Sequence, residues 1–335
     1  MKRVTLKKVA EMARVGSATA ERVLNGRGGV GPELVERVLK AARKLDYPKR
    51  LPEQHRGFTR IEVLMTRPDL SFLARLSKSF ARIASSLDPS ISLQRTFIKE
   101  SKPEVVAAHI LATNVRRSAL IVVLPEHPLI SNALQQAAAS GKAVVQMVSK
   151  FDGLDAPYAG IDNAAAGRMA GLLMTGMQRN TGTVVALCHS QQYGVHRDRI
   201  SGFSEYMARK EAGHLLFRQV SFTFDDAEEA ARTVAHLMRS IPDLVGIYST
   251  GGDYGPLCSM LQRSHRDQKI CLIGHELTAV TETALKDGIM DAVIDQAPET
   301  QARRALDIVL FKLGMIETPI DTAPIRFITI TAENV

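Results

Sequence analysis

Residues 5–25 read Thr5-Leu6-Lys7-Lys8-Val9-Ala10-Glu11-Met12-Ala13-Arg14-Val15-Gly16-Ser17-Ala18-Thr19-Ala20-Glu21-Arg22-Val23-Leu24-Asn25, two short amphipathic segments on either side of a tight turn. Leu6, Val9, Ala10 and Ala13 recur at helical spacing, as do Val15, Thr19, Val23 and Leu24, so each segment has one apolar face to bury against the other. Gly16 is expected to supply an unusual backbone angle in the turn, and Ser17 a hydroxyl near the start of the second helix. The pattern predicts a helix-turn-helix; on spacing alone a plain helical hairpin is the alternative.

Charge separates the two. Residues 1–60 hold fifteen Lys or Arg against six Asp or Glu, whereas the remaining 275 hold 28 basic and 29 acidic side chains. The whole-chain net charge of +8 therefore belongs to the N-terminal segment. A short, basic, helical headpiece on a near-neutral body is the electrostatic footprint of binding to a phosphate backbone. A membrane-surface helix fits poorly, because the first segment offers Ala and Val on its apolar side and no large aromatic. In a helix-turn-helix the second helix enters the major groove and its first residues meet base edges.

The headpiece resembles the lactose-repressor (LacI/GalR) family of bacterial transcription regulators. Thr5-Leu6, Val9-Ala10, Val15, Thr19, Arg22 to Gly26, Val30, and Arg37-Val38 through Leu45-Asp46-Tyr47 fall at that family's positions, and a weaker match runs through the rest of the chain. The resemblance implies double-stranded operator DNA as partner, with Thr5, Ser17, Ala18, Thr19, Arg22 and Asn25 at the DNA and Ser17, Ala18 and Arg22 reading bases. Of these, Arg22 has the chemistry to fork a guanine. Two departures stand out: Gly16 replaces a usual capping Ser, and Arg14 a usual Gly.

Glu33–Leu45, after Gly31-Pro32, reads as a third helix with Leu34, Val35, Val38, Leu39, Ala42 and Leu45 on its buried stripe. Residues 1–48 are thus expected to form the DNA-binding domain and residues 49–60 a basic linker. In the family this linker becomes a hinge helix that wedges an apolar residue into the minor groove. Here Pro52 interrupts it and Leu51 is the residue available as wedge; the alternative is a solvated, non-helical connector.

From Ile61 the pattern becomes branched apolar runs alternating with helical segments. The runs are Ile61–Met65, Ala119–Leu124, Ala143–Val148, Thr183–Cys188, Gly246–Tyr248, Ile270–Ile273 and Ala292–Ile294. The helices include Leu73–Leu87, Val105–Ala112, Ile130–Ala139, Ala164–Gln178, Arg199–Arg209 and Ala227–Arg239. Such alternation predicts parallel, doubly wound sheets, and residues 61–335 are enough for two lobes. The fold class expected is an all-α headpiece followed by an α/β body. The resemblance implies a body like the periplasmic sugar-binding proteins, two lobes closing on an effector and forming a homodimer.

Ligands of such sheets sit beyond the carboxyl ends of the strands. The resemblance places Arg199, Glu276 (where Asp is usual), Gln296 and the Phe72-Leu73 pair at the effector. Tyr193 and His196, in the loop and helix after Thr183–Cys188, and Asp253, in the Ser249 to Gly255 stretch, complete the candidates. Ordinary core packing for Phe72, and capping or surface roles for Tyr193 and His196, are the competing readings; Asp162 reads as a cap rather than a ligand.

No cofactor and no metal are expected. Nine scattered His and three distant Cys lack ligand spacing, and phosphate-loop, nucleophile-elbow and zinc-helix motifs are missing. Sparse cysteines, no signal peptide and no apolar run near the roughly 18 residues of a membrane span point to the cytoplasm, away from membranes. The expectation is a non-enzymatic repressor controlled by a sugar, polyol or sugar acid. The alternatives are a nucleobase or nucleoside effector, or a sugar-processing enzyme carrying an appended basic domain.

Overall fold

The computed structural model describes residues 4–25, 30–45, 47, 59–99, 101–113, 116–188, 193–209, 212–224, 226–264 and 269–335. These fall into two compact units, residues 1–58 and 59–335. Leu51 and most of the expected linker lie outside the described residues.

The first unit contains α1 (Leu6–Ala13), α2 (Ser17–Leu24) and α3 (Pro32–Lys44). Val9, Ala10 and Ala13 of α1 meet Ala20, Val23 and Leu24 of α2 and Val38, Leu39, Ala41 and Ala42 of α3 in one small core. On α2 the buried stripe therefore runs through Ala20; Thr19 and Val15 are only partly covered. The turn also differs from expectation. Gly16 has ordinary extended angles (φ −67°, ψ 148°), and the left-handed residue is Arg14, at φ 50° and ψ 51°. No side chain caps α1 or α2 at its start, so Ser17 lies within the helix as its first residue and Gly16 leaves the cap position bare. The carbonyls at the end of α1 find their partner elsewhere: Arg37 of α3 donates from Nη2 to Ala13 O at 2.7 Å and Arg14 O at 3.0 Å.

The second unit holds two sheets. Lobe one has β1 (Thr59–Met65), β2 (Ile91–Phe97), β3 (Ala119–Val123), β4 (Ala143–Met147) and β5 (Tyr158–Ala159), ordered β2-β1-β3-β4-β5 and parallel throughout. Around them lie α4 (Ser71–Ala84), α5 (Pro103–Leu111) and α6 (Pro128–Ala139). Lobe two has β6 (Gly182–Cys188), β7 (Leu215–Phe222), β8 (Leu244–Ser249), β9 (Cys271–His275), β10 (Ala292–Asp295) and β11 (Ile328–Ile330), ordered β11-β10-β9-β8-β6-β7, with only β11 antiparallel. Its helices are α7 (Asn163–Met177), α8 (Gly194–Met207), α9 (Ala227–Ser240), α10 (Gly255–Gln262) and α11 (Ala279–Lys286). The chain then recrosses, and α12 (Pro298–Lys312) packs Ala302, Ala305, Leu306 and Val309 into the lobe-one core beside Phe80 of α4.

All seven apolar runs are strands, and β1 begins at Thr59 because Thr59 and Arg60 pair with Ile91 and Ser92 of β2. In each lobe the strand order reverses beside a central strand, at β1 and at β6. Each reversal opens a crevice at the carboxyl ends of the strands.

Candidate functional site

On the headpiece, Ser17, Ala18 and Arg22 are exposed on one side of α2, opposite Ala20, Val23 and Leu24. Thr5 and Asn25, at the flanks of α1 and α2, are exposed as well, and Thr19 is half-buried. The exposed side chains thus include the residue types for base and phosphate contact, held on a helix whose other face anchors it.

In the body, a cavity lies where the strands of both lobes end. Seven of the eight candidate effector residues line it: Phe72, Leu73, Tyr193, His196, Arg199, Glu276 and Gln296. Asp253 is not among the lining residues; its exposed carboxylate accepts the Gly255 N–H at 3.1 Å, at the start of α10. Sequence reasoning missed Leu70, Ser71, Val148 and Val195; Gly251 and Gly252, from the same Ser249 to Gly255 stretch as Asp253, complete the lining.

Arg199 is 2 % exposed, which is unusual for a guanidinium and costs several kcal/mol unless its donors are satisfied. Its Nε donates to Asn163 Oδ1 at 3.1 Å, and Nη1 to Thr250 O at 2.5 Å. Nη2 is buried with no partner. The local fold that holds Arg199 is a close helix crossing. A Cβ on Gly167 of α7 would strike the Arg199 carbonyl, and one on Gly202 of α8 would strike Ala164 O, so the two glycines let the backbones touch. Asp162 caps α7 by accepting the Ala165 N–H at 2.8 Å, as its sequence context predicts, and so fixes Asn163 beside it. Asn163 also donates to Tyr158 OH at 3.4 Å, and Tyr158 donates to Val148 O at 2.9 Å. A chain of hydrogen bonds thus joins the lobe-two arginine to the lobe-one wall.

Glu276 follows β9 with φ 71°, Val148 follows β4 with φ 66°, and Ala297 follows β10 with φ 52°. Three non-glycine residues in left-handed backbone just beyond strand ends mark this rim as a place where strain is held by the surroundings. Burial pushes the Glu276 carboxyl up, helped by Asp295 and opposed by Arg199, Gln296 and Arg75, to about 7. Gln296 donates its amide to Glu276 Oε1, while Oε2 is buried without a partner. The other lining polar groups have neighbours of their own: Tyr193 OH shares a hydrogen bond with Thr66 Oγ1 at 2.5 Å, and His196 Nδ1 one with Thr250 Oγ1 at 3.0 Å.

Further bonds cross between the lobes outside the cavity. Glu126, after β3, accepts from Gly194 N at 3.1 Å and from Arg197 Nη2 at 3.3 Å. Arg75 of α4 donates across to Asp295 and to Leu277 O at 3.0 Å, and within lobe one to Glu299 of α12 at 3.1 Å. No group of three or more metal-ligating side chains occurs among the described residues.

Comparison with known proteins follows the same division. Residues 5–49 match the family described as bacterial regulatory proteins, lacI family, and residues 105–314 match the periplasmic binding protein domain. The ribose operon repressor of Halalkalibacterium halodurans is 25 % identical over 262 residues, 73 % of this chain and 71 % of that protein. Among solved structures, a periplasmic solute-binding protein of Actinobacillus succinogenes with bound D-allose has a TM-score of 0.72 at 18 % identity, covering 82 % of this chain and 98 % of its own. A solute-binding protein of Burkholderia graminis in complex with D-arabinose also reaches 0.72 at 18 % identity, covering 84 % and 98 %. These likenesses establish the fold of the body. The chain thus carries a lacI-family headpiece, and its body belongs to the periplasmic binding protein domain family.

Proposed function

We propose that this regulator is a cytoplasmic repressor that binds a palindromic operator as a homodimer, with Arg22 and its neighbours on α2 reading bases, and that a small carbohydrate in the body's cavity sets its affinity for DNA. The observation that carries the effector reading is the pair of buried, unpartnered polar atoms, Arg199 Nη2 and Glu276 Oε2, on two side chains lining one cavity. Buried polar groups are normally satisfied, and a donor and an acceptor both left open suit a ligand hydroxyl, which can accept from one and donate to the other. The ribose repressor and the sugar-bound structures support the same class of ligand. Exposed Leu216, Phe222 and Phe224 on and after the edge strand β7, and Phe97 on the edge strand β2, support a subunit interface. Catalysis is not part of this reading, since glycoside hydrolysis uses two flanking carboxyls and, among the described residues, the cavity lining offers Glu276 alone.

The test is footprinting of the full chain on genomic fragments with and without candidate sugars, alongside sedimentation to count subunits. Protection of a two-fold symmetric site by a dimer, relieved by a sugar that also raises the melting temperature, is the expected result. Protection unaffected by any small molecule would sink the effector reading. A monomer on an asymmetric site would sink the dimer.

A further inference from the structure

The two lobes contribute unequally to the cavity. Lobe one presents Leu70, Phe72, Leu73 and Val148, with Ser71 as its one lining hydroxyl. The polar side chains gather at the opposite end, on lobe two and the recrossing at Gln296. The two charged side chains at that end are already bonded within the protein. Arg199 uses Nε and Nη1 on Asn163 and Thr250, and Glu276 uses Oε1 on Gln296. Among the buried atoms of these two side chains, Arg199 Nη2 and Glu276 Oε2 have no partner, one donor nitrogen and one acceptor oxygen on residues that line the cavity.

A fully hydroxylated monosaccharide carries hydroxyls around its whole rim. Seated with two of them on Arg199 and Glu276, it would press others against an aliphatic and aromatic wall. A hydroxyl buried without a partner costs about 1–3 kcal/mol, equivalent to roughly ten- to a hundredfold in affinity. We propose that the effector is a deoxy sugar, polar along the edge that meets Arg199 and Glu276, with its methyl or methylene side against the Leu70, Phe72, Leu73 and Val148 wall. This rests on the carbohydrate reading above and narrows it to one class.

Calorimetric titration of the full chain with matched pairs tests it: D-galactose against D-fucose, L-mannose against L-rhamnose, and D-ribose against 2-deoxy-D-ribose, with adenosine and uridine alongside. At least one deoxy member should bind tenfold or more tighter than its parent. If every parent that binds does so as tightly as its deoxy partner or tighter, the proposal fails and the carbohydrate reading stands. If no sugar binds, with or without binding of a nucleoside, both fail together. The variant Leu70→Asn locates the effect. Leu70 precedes α4 without capping it, and Asn is favoured at that position, so the change is compatible with folding. It should narrow the deoxy-to-parent ratio several-fold; an unchanged ratio would overturn the assignment of the wall.

Discussion

Glu276 is buried in left-handed backbone, with its carboxyl raised to about 7 chiefly by desolvation. A carboxyl whose folded value lies above its unfolded one binds more protons when folded. Its contribution therefore favours folding at low pH, and that contribution is lost as pH rises from the ordinary carboxyl range through about 7. Glu276→Gln should remove this loss: urea melts at pH 8 should show a gain of roughly 2–4 kcal/mol over wild type that vanishes near pH 4. An equal effect at both pH values would mean that the carboxyl is not held in this environment. At the headpiece, Arg22→Ala should weaken operator binding by about 1–3 kcal/mol while leaving random DNA nearly unaffected, measured by titration at fixed salt. Equal losses on both would make Arg22 a phosphate contact. How far such residues can be read from sequence depends on what makes them matter. Arg22 and Arg199 stand at fixed spacing within a family pattern, and their places, on the exposed side of α2 and in the cavity lining, were legible. Asn163, Thr250 and Val148 matter through backbone angles and contacts with residues far along the chain, and no local pattern announces that. Gly16 misled because glycine permits a left-handed angle without requiring one; the requirement fell on Arg14.

Elements show the same contrast between local and distant causes. The buried strands β1, β3, β4, β6, β8, β9 and β10 are built on predominantly apolar runs and were visible at once. The strands β2 and β7 went unread because both lie at sheet edges, where Gln94 and Arg95, or Arg218 and Gln219, interrupt the apolar pattern. Inside lobe one, β1 carries Glu62 into the interior, where Thr96, His109 and Arg117 hydrogen-bond to it. Burial pushes its carboxyl up, but these bonds and the Arg117 charge together hold it below the usual range. On the proposed reading, effector binding depends most on the α7–α8 crossing. Gly202→Ala inserts a methyl against the Ala164 backbone and should cost about 1–3 kcal/mol of stability through overpacking. Because the helices can separate only by moving Arg199, effector affinity should fall further than in a variant destabilised equally at a remote site. Calorimetry on the two matched variants checks this, and equal affinities would show that the crossing does not position the arginine.

At the scale of the whole molecule, regulation requires an event in the body to change binding by residues 1–58. A ligand can shift that balance only by its differential affinity for the two states of the protein. Arg199→Ala and Glu276→Ala should therefore leave operator affinity nearly unchanged and move the effector response by one to two decades of ligand concentration, for roughly 1.5–3 kcal/mol of lost contact. Gel-shift titrations over effector concentration measure this, and a wild-type response in both variants would place the effector elsewhere. The way Arg199 is held has one more consequence. Two of its three nitrogens are tied to Asn163 and Thr250, so the third is fixed in space before any ligand arrives. A fixed donor, a fixed acceptor on Glu276 and an apolar wall that a ligand meets from one face only give three unlike points and a direction, which together distinguish an object from its mirror image. The regulator should accordingly read handedness: the enantiomer of whichever sugar it binds should bind at least about tenfold more weakly, the loss of a single such contact. Equal binding of both enantiomers would mean that one of the three points yields.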